Sequence, residues 1–164
     1  MTTQIPERLK FRGENLVLLT FPLEQYFKLL ANQSPFVARS SACWRGYVGA
    51  WELLEGRLYI ASLSGSFESG RHASLEDLFP GFGERVFAHW YTGILSVPRG
   101  QPLPGVPNAM VVMHERTLNL ELRRGVLQSE WEHINGTASQ DARHSGYPLT
   151  ALTTFGTNRP RGKN

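Results

Sequence analysis

The sequence predicts a mainly β protein, an antiparallel β-barrel or sandwich of short hairpin-linked strands with one or two short helices. Three observations predict this fold class. Residues 44–63 are rich in aromatic, β-branched and leucine side chains and are interrupted at Glu55-Gly56, where a two-residue turn fits. Two more X-Gly pairs, Arg12-Gly13 and Arg124-Gly125, also separate strand-like runs. Residues 117–123 alternate leucine with polar side chains, as half-buried strands do.

The two clearest hairpins have predicted registers, because the loop fixes which residues lie opposite each other. With Glu55-Gly56 as the loop, the predicted pairs are Leu54 with Arg57, Leu53 with Leu58 and Trp51 with Ile60. With Arg124-Gly125 as the loop, they are Leu122 with Leu127, Leu120 with Ser129 and Leu118 with Trp131. Each register collects apolar side chains on one face, which we expect to be buried.

The N-terminal part predicts a third hairpin followed by a helix. Residues 9–11 and 16–20 read as strands around a loop at 12–15. Residues 21–31 follow a helical period, with Pro22 suited to the first turn and Thr20 as a possible cap. The predicted packed face of this helix consists of Leu23, Tyr26, Phe27 and Leu30.

The second half predicts one helical turn and further strands. A turn that begins at Ser74 has Asp77 three residues later, as in a capping box, and Pro80-Gly81 ends it. Residues 85–97 read as one strand, with Gly93 as a bulge or a point of close packing. Residues 98–107 are rich in proline and predict a surface loop, after which residues 110–113 resume as a strand.

Length and composition indicate one soluble domain. The chain has 164 residues, of which 41% are hydrophobic and 19% charged. It contains no long apolar run and no secretory leader pattern, and its single cysteine, Cys43, fits a reducing compartment. We therefore expect a cytoplasmic protein with no membrane association.

The net charge of +3 lies in the C-terminal part. Residues 1–135 contain equal numbers of basic and acidic side chains, whereas residues 136–164 contain four basic residues against Asp141 alone. The sequence thus predicts a β-rich domain at 1–135 and a basic, disordered or partner-ordered tail at 136–164. If the partner is a nucleic acid, Arg159, Arg161 and Lys163 are the candidate phosphate contacts.

No pattern in the chain indicates a reaction, a metal site or a cofactor. Cys43 could act as a nucleophile with a histidine such as His89, but a structural, buried thiol beside Trp44 is the more usual role of such a cysteine. The histidines lack metal-ligand spacing. We therefore predict no catalytic residues, no metal ligands and no cofactor.

Aromatic residues in the strand-like runs are the candidates for an interface. Because neighbours in a strand point to opposite faces, Trp90 and Tyr91 cannot both be core residues of one simple strand. We expect one of them either to be exposed, and so available to a protein partner or to nucleic-acid bases, or to cover a second layer. A two-layer β core with aromatic side chains on both sides is the more usual arrangement of such residues. The predicted interface residues are Trp90, Tyr91, Tyr47, Arg99 and Gln101.

Two runs, GYVGAWELLEGRLYIASL and VFAHWYTGILSVPRG, resemble small single-domain bacterial proteins of unknown function. The resemblance covers about residues 44–132. It implies a compact β-rich domain and a bacterial origin, and it implies no activity.

Three functions remain open from the sequence. The first is a non-enzymatic intracellular binding protein, for instance an inhibitor or immunity-like factor that acts through a protein interface. The second is a nucleic-acid-binding β-barrel that uses the basic tail. The third is a small-ligand-binding β-barrel or hydrolase. The oligomeric state is not predicted.

Overall fold

The computed structural model describes residues 2–31, 33–104 and 112–137. Within these ranges the chain forms nine strands and two short helices, and the sheet does not close on itself. The prediction of a mainly β protein with short helices is confirmed, and a sandwich-like arrangement is consistent with the open sheet. The predicted tail at 136–164 lies outside the described residues from position 138 onward, as do its three candidate phosphate contacts.

The bounds of the elements are as follows. The strands are β1 (Glu7–Phe11), β2 (Glu14–Leu18), β3 (Tyr47–Leu54), β4 (Arg57–Ser66), β5 (His72–Ala73), β6 (Val86–Phe87), β7 (Gly93–Pro102), β8 (His114–Arg123) and β9 (Val126–Ile134). The helices are α1 (Leu23–Leu29) and α2 (Leu75–Leu78).

The strand order is β2-β1-β3-β4-β9-β8-β7, and both β5 and β6 pair with β4. The sheet is mixed, because β1 and β3 are parallel whereas the consecutive strands form antiparallel hairpins. Strand β2 and helix α1 separate β1 from β3 along the chain, and this crossover is long enough to return the chain in the same direction. A single residue pair, Arg57 with Val126, joins β4 to β9.

The predicted two-residue turn of the central hairpin is present. Glu55 and Gly56 have φ values of 51° and 73°, as a primed hairpin turn requires at both positions. All three predicted pairs are confirmed, and Trp51, Leu53, Leu58 and Ile60 are buried.

The other two hairpins differ in detail from the prediction. The first uses a two-residue turn at Arg12-Gly13 instead of a four-residue loop. In the last, Leu122 pairs with Leu127 as predicted, but the register shifts between Glu121 and Leu122. A bulge inserts an extra residue on one strand, so every later pair moves by one position. The predicted pairs of Leu120 with Ser129 and Leu118 with Trp131 are therefore wrong. Leu120 instead lies opposite Glu130, and Leu118 lies opposite Glu132.

Helix α1 is shorter than the predicted segment. Leu23 and Phe27 are buried and Tyr26 packs against the core, but Leu30 follows the helix end and is exposed. Thr20 does not cap the helix, since its hydroxyl accepts the Ser96 N–H at 2.9 Å. The predicted capping box of α2 is confirmed, because the Asp77 carboxylate accepts the Ser74 backbone N–H at 2.8 Å.

Residues 85–102 differ most from the prediction. The predicted strand at 85–97 is divided into β6 and β7 by residues 88–92, where the Tyr91 N–H donates to the Ala88 carbonyl at 3.0 Å. Strand β7 then continues through Pro102 into the segment predicted as a loop. Residues 105–111, and with them the first half of the predicted strand at 110–113, lie outside the described residues; positions 112 and 113 belong to no strand.

Trp90 and Tyr91 are both buried, with exposures of 7% and 3%. The expectation that one of them is exposed is therefore wrong, and the alternative, a core that contains both aromatic side chains, is the one observed. The break in the strand explains this, because strict alternation of faces does not apply to a turn. The indole N–H of Trp90 donates to the Pro22 carbonyl at 3.1 Å, and the Tyr91 hydroxyl donates to the Ile94 carbonyl at 3.1 Å. Tyr47, at 1% exposure, is also a core residue.

Candidate ligand-binding site

A cavity of about 410 Å³ lies where the N-terminal segment, the end of β2 and the neighbouring ends of β7 and β8 meet. This volume is within the range of small-molecule sites. Its wall is largely apolar and is formed by Pro6, Val17, Leu19, Phe21, Pro98 and Val112. We call it the Arg45 pocket, after the basic side chain in its lining.

The end of β2 lies beside β7 at the pocket. The Leu19 N–H donates to the Ser96 carbonyl at 3.0 Å, and the Thr20 hydroxyl accepts the Ser96 N–H. These bonds join the end of β2 to β7, but the two strands form no ladder among the described pairings. Val17 on β2, Leu19 just after β2 and Pro98 on β7 line the pocket beside this junction.

The N-terminal segment forms one side of the pocket and is fixed by hydrogen bonds to residues 41–44. The Gln4 side chain accepts the Trp44 backbone N–H at 3.0 Å and donates to the Ser41 carbonyl at 2.8 Å. The Ile5 N–H donates to the Ala42 carbonyl at 2.7 Å. This arrangement holds Trp44 at the pocket although its side chain is 57% exposed.

Arg45 is the buried cation of the pocket. Its side chain is only 6% exposed, and its Nε donates to Glu7 Oε1 at 3.2 Å. The guanidinium carbon lies 4.2 Å from the centre of the Phe21 ring, a cation–π distance. Its Nη2 is buried and has no hydrogen-bond partner in the structure.

Glu7 is the counter-ion of Arg45 and is fully buried. Its second carboxylate oxygen accepts the indole N–H of Trp51. Burial raises the pKa of Glu7 to about 7, although the Trp51 hydrogen bond and the charge of Arg45 both act to lower it. Glu7 is therefore divided between its charged and neutral forms near neutral pH.

Gly49 makes room for this arrangement. A Cβ atom at this position would lie 2.8 Å from Trp51 Nε1 and 2.9 Å from Glu7 Oε2. The neighbouring Tyr47 has its pKa raised, first by burial and then by the nearby Glu7 charge, and its hydroxyl has no partner. The hydroxyl is thus neutral at any physiological pH.

The predicted interface residues do not form one surface. Tyr47, Trp90 and Tyr91 are in the core and cannot contact a partner without a change in packing. Arg99 and Gln101 lie near the end of β7, where Arg99 pairs with Glu14 at 3.4 Å and the Gln101 N–H donates to Glu115 at 3.1 Å. An interface role for these two residues stays a prediction.

Cys43 and His89 have separate local partners. The Cys43 thiol donates to the Tyr47 carbonyl at 3.3 Å, and Cys43 is partly exposed, so the buried position expected for it is wrong. The His89 ring packs edge-on against Trp90, with ring centres 5.6 Å apart. Within the part of the chain that the structure describes, no three His, Cys, Asp or Glu side chains form a cluster that could hold a metal ion.

Sequence reasoning missed Glu7 and Arg45. The signal for Glu7 was available, since Glu7, Leu9 and Phe11 alternate with exposed residues along β1 and so share the buried face. Nothing local indicated Arg45, because it precedes β3 in a turn and meets Glu7 only through the parallel pairing of β1 with β3.

Comparisons with known proteins do not assign the pocket. No protein-family model matches the chain, and neither does any curated protein or solved structure. Among the described helices, none has the length and apolar character needed to cross a membrane. The pocket and the exposed surfaces of the described residues are therefore the features that bear on function.

Proposed function

We propose that this chain is a non-enzymatic binding protein that holds a small, largely apolar molecule in the Arg45 pocket. The observation that carries the proposal is the pocket itself, an apolar cavity of about 410 Å³ with a buried guanidinium in its lining. Such a combination of apolar walls and few polar groups is typical of small-molecule sites. The single cysteine, which fits a reducing compartment, supports a cytoplasmic location.

Exposed apolar side chains around the pocket also support this proposal. Val17, Trp44 and Val112 are 44%, 57% and 45% exposed, and all three line the pocket. Grouped exposed apolar surface on a soluble protein commonly marks a binding site. A ligand in the pocket would remove part of this surface from water and gain the corresponding free energy.

Calorimetric titration with octanol, a neutral apolar probe, tests the proposal. We expect saturable binding with a Kd of about 1 mM or tighter. Val17→Glu places a charge in the apolar wall and should weaken binding by about tenfold. Val126→Glu is the matched control, because Val126 is 38% exposed and lies on β9 outside the pocket. Absence of binding, or equal loss in both variants, would contradict the proposal.

A protein partner is the second candidate, and strand β9 favours it. Beyond Val126, no described strand pairs with the edge of β9 that faces away from β8. Strand β9 also carries exposed apolar side chains, with Trp131 at 42% and Ile134 at 73% exposure. An extended segment of a partner could add to this edge through backbone hydrogen bonds. An inhibitor or immunity-like role would use this surface instead of Trp90 and Tyr91.

A partner-binding assay with two alanine variants tests the second candidate. Trp131→Ala should cost about 2 kcal/mol of affinity for a partner isolated from the native host if β9 is the contact surface. Phe82→Ala is the control, since Phe82 is also exposed but follows α2. Equal affinity of Trp131→Ala and the unmodified protein would exclude β9 as the interface.

A further inference from the structure

The polar chemistry of the Arg45 pocket indicates the class of its ligand. We propose that the ligand carries one carboxylate on an apolar body and binds with that carboxylate against the Arg45 guanidinium. This inference rests on the proposed function and specifies what the pocket selects.

The hydrogen-bonding capacity of Arg45 is only partly used. Glu7 accepts from Nε, while its other oxygen accepts from Trp51 and not from a second guanidinium nitrogen. Nη2 is buried without a partner. A buried donor without an acceptor costs free energy, and a guanidinium binds carboxylates through two parallel N–H donors. Arg45 lines the pocket, and a small shift of its side chain toward a ligand carboxylate would bring Nη2, which is closed to water in the structure, to the missing acceptor.

The charge of Arg45 is also incompletely balanced. Arg45 is always protonated, whereas Glu7 exchanges between its charged and neutral forms near pH 7 because of its burial. When Glu7 is neutral, the pocket contains a buried cation without a counter-ion. Binding of an anion is favoured in that state, since attraction between charges is stronger away from water.

The other charged and titratable groups near Arg45 do not cancel this preference. Glu24, on α1, lines the pocket but is exposed, so water screens its repulsion of an anion. His114, at the start of β8, lines the pocket, is half-buried and carries no negative charge that would repel an anion. Tyr47, on β3, stays neutral because its pKa is raised. Among the described residues that line the pocket, Arg45 is the one Lys or Arg.

The apolar wall restricts the ligand to a single charge. A dianion such as a phosphate monoester would keep one charge uncompensated against Leu19, Phe21 and Pro98, which is unfavourable. A cationic head group would be repelled by Arg45, and a neutral alcohol would not balance its charge. A monocarboxylate with an apolar body fits both the charge and the wall.

Three probes with the same chain length test this inference by calorimetry: octanoate, octanol and octylamine. We expect octanoate to bind about tenfold more tightly than octanol, and octylamine, as its ammonium form, to bind most weakly. Octanol binding as tightly as octanoate would overturn the carboxylate inference and leave the proposed function intact. Binding of none of the three probes would overturn both.

A double variant locates the selectivity at Arg45. Glu7→Gln with Arg45→Met removes both charges together, so no buried charge is left without a partner. We expect octanoate and octanol to bind this variant equally. Arg71→Met is the control, because Arg71 forms an exposed ion pair with Asp77 and does not line the pocket. Retention of the tenfold preference in the double variant would overturn the inference.

A measurement on the unmodified protein covers the case in which the double variant does not fold. The side-chain Nε–H resonance of Arg45 reports on its hydrogen bonds in an NMR titration. We expect octanoate to shift this resonance in a saturable manner and octanol to shift it less. Equal shifts with both probes would contradict contact between the carboxylate and Arg45.

Discussion

Replacement of Glu7 by glutamine tests how the buried ion pair contributes to stability. Glu7 is fully buried, and its pKa is raised from 4.5 to about 7, chiefly by burial. Glu7→Gln keeps the size of the side chain and an oxygen that can accept the Trp51 indole N–H, but it removes the ionisation. The variant therefore isolates the pH-dependent part of the stability.

The direction of the effect follows from proton linkage. Between pH 4.5 and about 7 the unfolded chain loses the Glu7 proton while the folded protein keeps it. The stability that Glu7 contributes is therefore fully present below its pKa in the unfolded chain, and it is lost as the pH rises toward its pKa in the folded protein. A shift of this size corresponds to about 3 kcal/mol. In Glu7→Gln this loss should be absent.

Urea unfolding at about pH 5 and about pH 8, followed by tryptophan fluorescence, measures the effect. From about pH 5 to about pH 8, the free energy of unfolding of the unmodified protein should fall by up to about 3 kcal/mol more than that of Glu7→Gln. Glu55→Gln, in the exposed turn between β3 and β4, is the control and should follow the unmodified protein. An unchanged pH slope in Glu7→Gln would refute the reasoning.

Four further outcomes are expected. Gly49→Ala should lower the free energy of unfolding by about 1–3 kcal/mol in urea titrations because its Cβ meets the Glu7 pair, whereas Gly136→Ala should have little effect; equal stabilities would contradict the close approach. Deletion of residues 136–164 should leave the melting temperature nearly unchanged, and a large decrease would show that the tail stabilises the domain. In calorimetry, octanoate affinity should rise as the pH falls from about 8 to about 6. Glu7→Gln should abolish this trend and His114→Gln should retain it. A trend that is lost in His114→Gln and kept in Glu7→Gln would contradict the role of Glu7. A random oligonucleotide should bind weakly, and submicromolar binding that falls steeply from about 50 to about 200 mM salt would favour the nucleic-acid alternative.

Local signals predicted the hairpins well. The Glu55-Gly56 turn fixed the register of the central hairpin because only a turn tolerant of positive φ at both positions fits a two-residue loop. The same reasoning placed Leu122 opposite Leu127. It failed beyond Glu121, because a β-bulge has no clear signature in the alternation of leucines.

Tertiary packing decided what local patterns could not. Trp90 and Tyr91 are both buried because the chain leaves the sheet at residues 88–92, where hydrogen bonds from both side chains hold the segment against the body. The meeting of Glu7 and Arg45 depends on the parallel pairing of β1 and β3. Two residues 38 positions apart cannot be paired from periodicity alone. The sequence therefore contained a signal for the fold class and for the buried side of Glu7, but none for the pairing of Glu7 with Arg45.

The most direct test of the central claim is an NMR titration of the full chain with octanoate. Trp44 lines the pocket, whereas Trp131 lies on β9 outside it, so the indole N–H signals of the two residues report on different places. We expect saturable chemical-shift changes for Trp44, Val17 and Leu19 and an unchanged Trp131 signal. Shifts that are absent, that do not saturate, or that are equal at Trp44 and Trp131 would contradict binding in the Arg45 pocket.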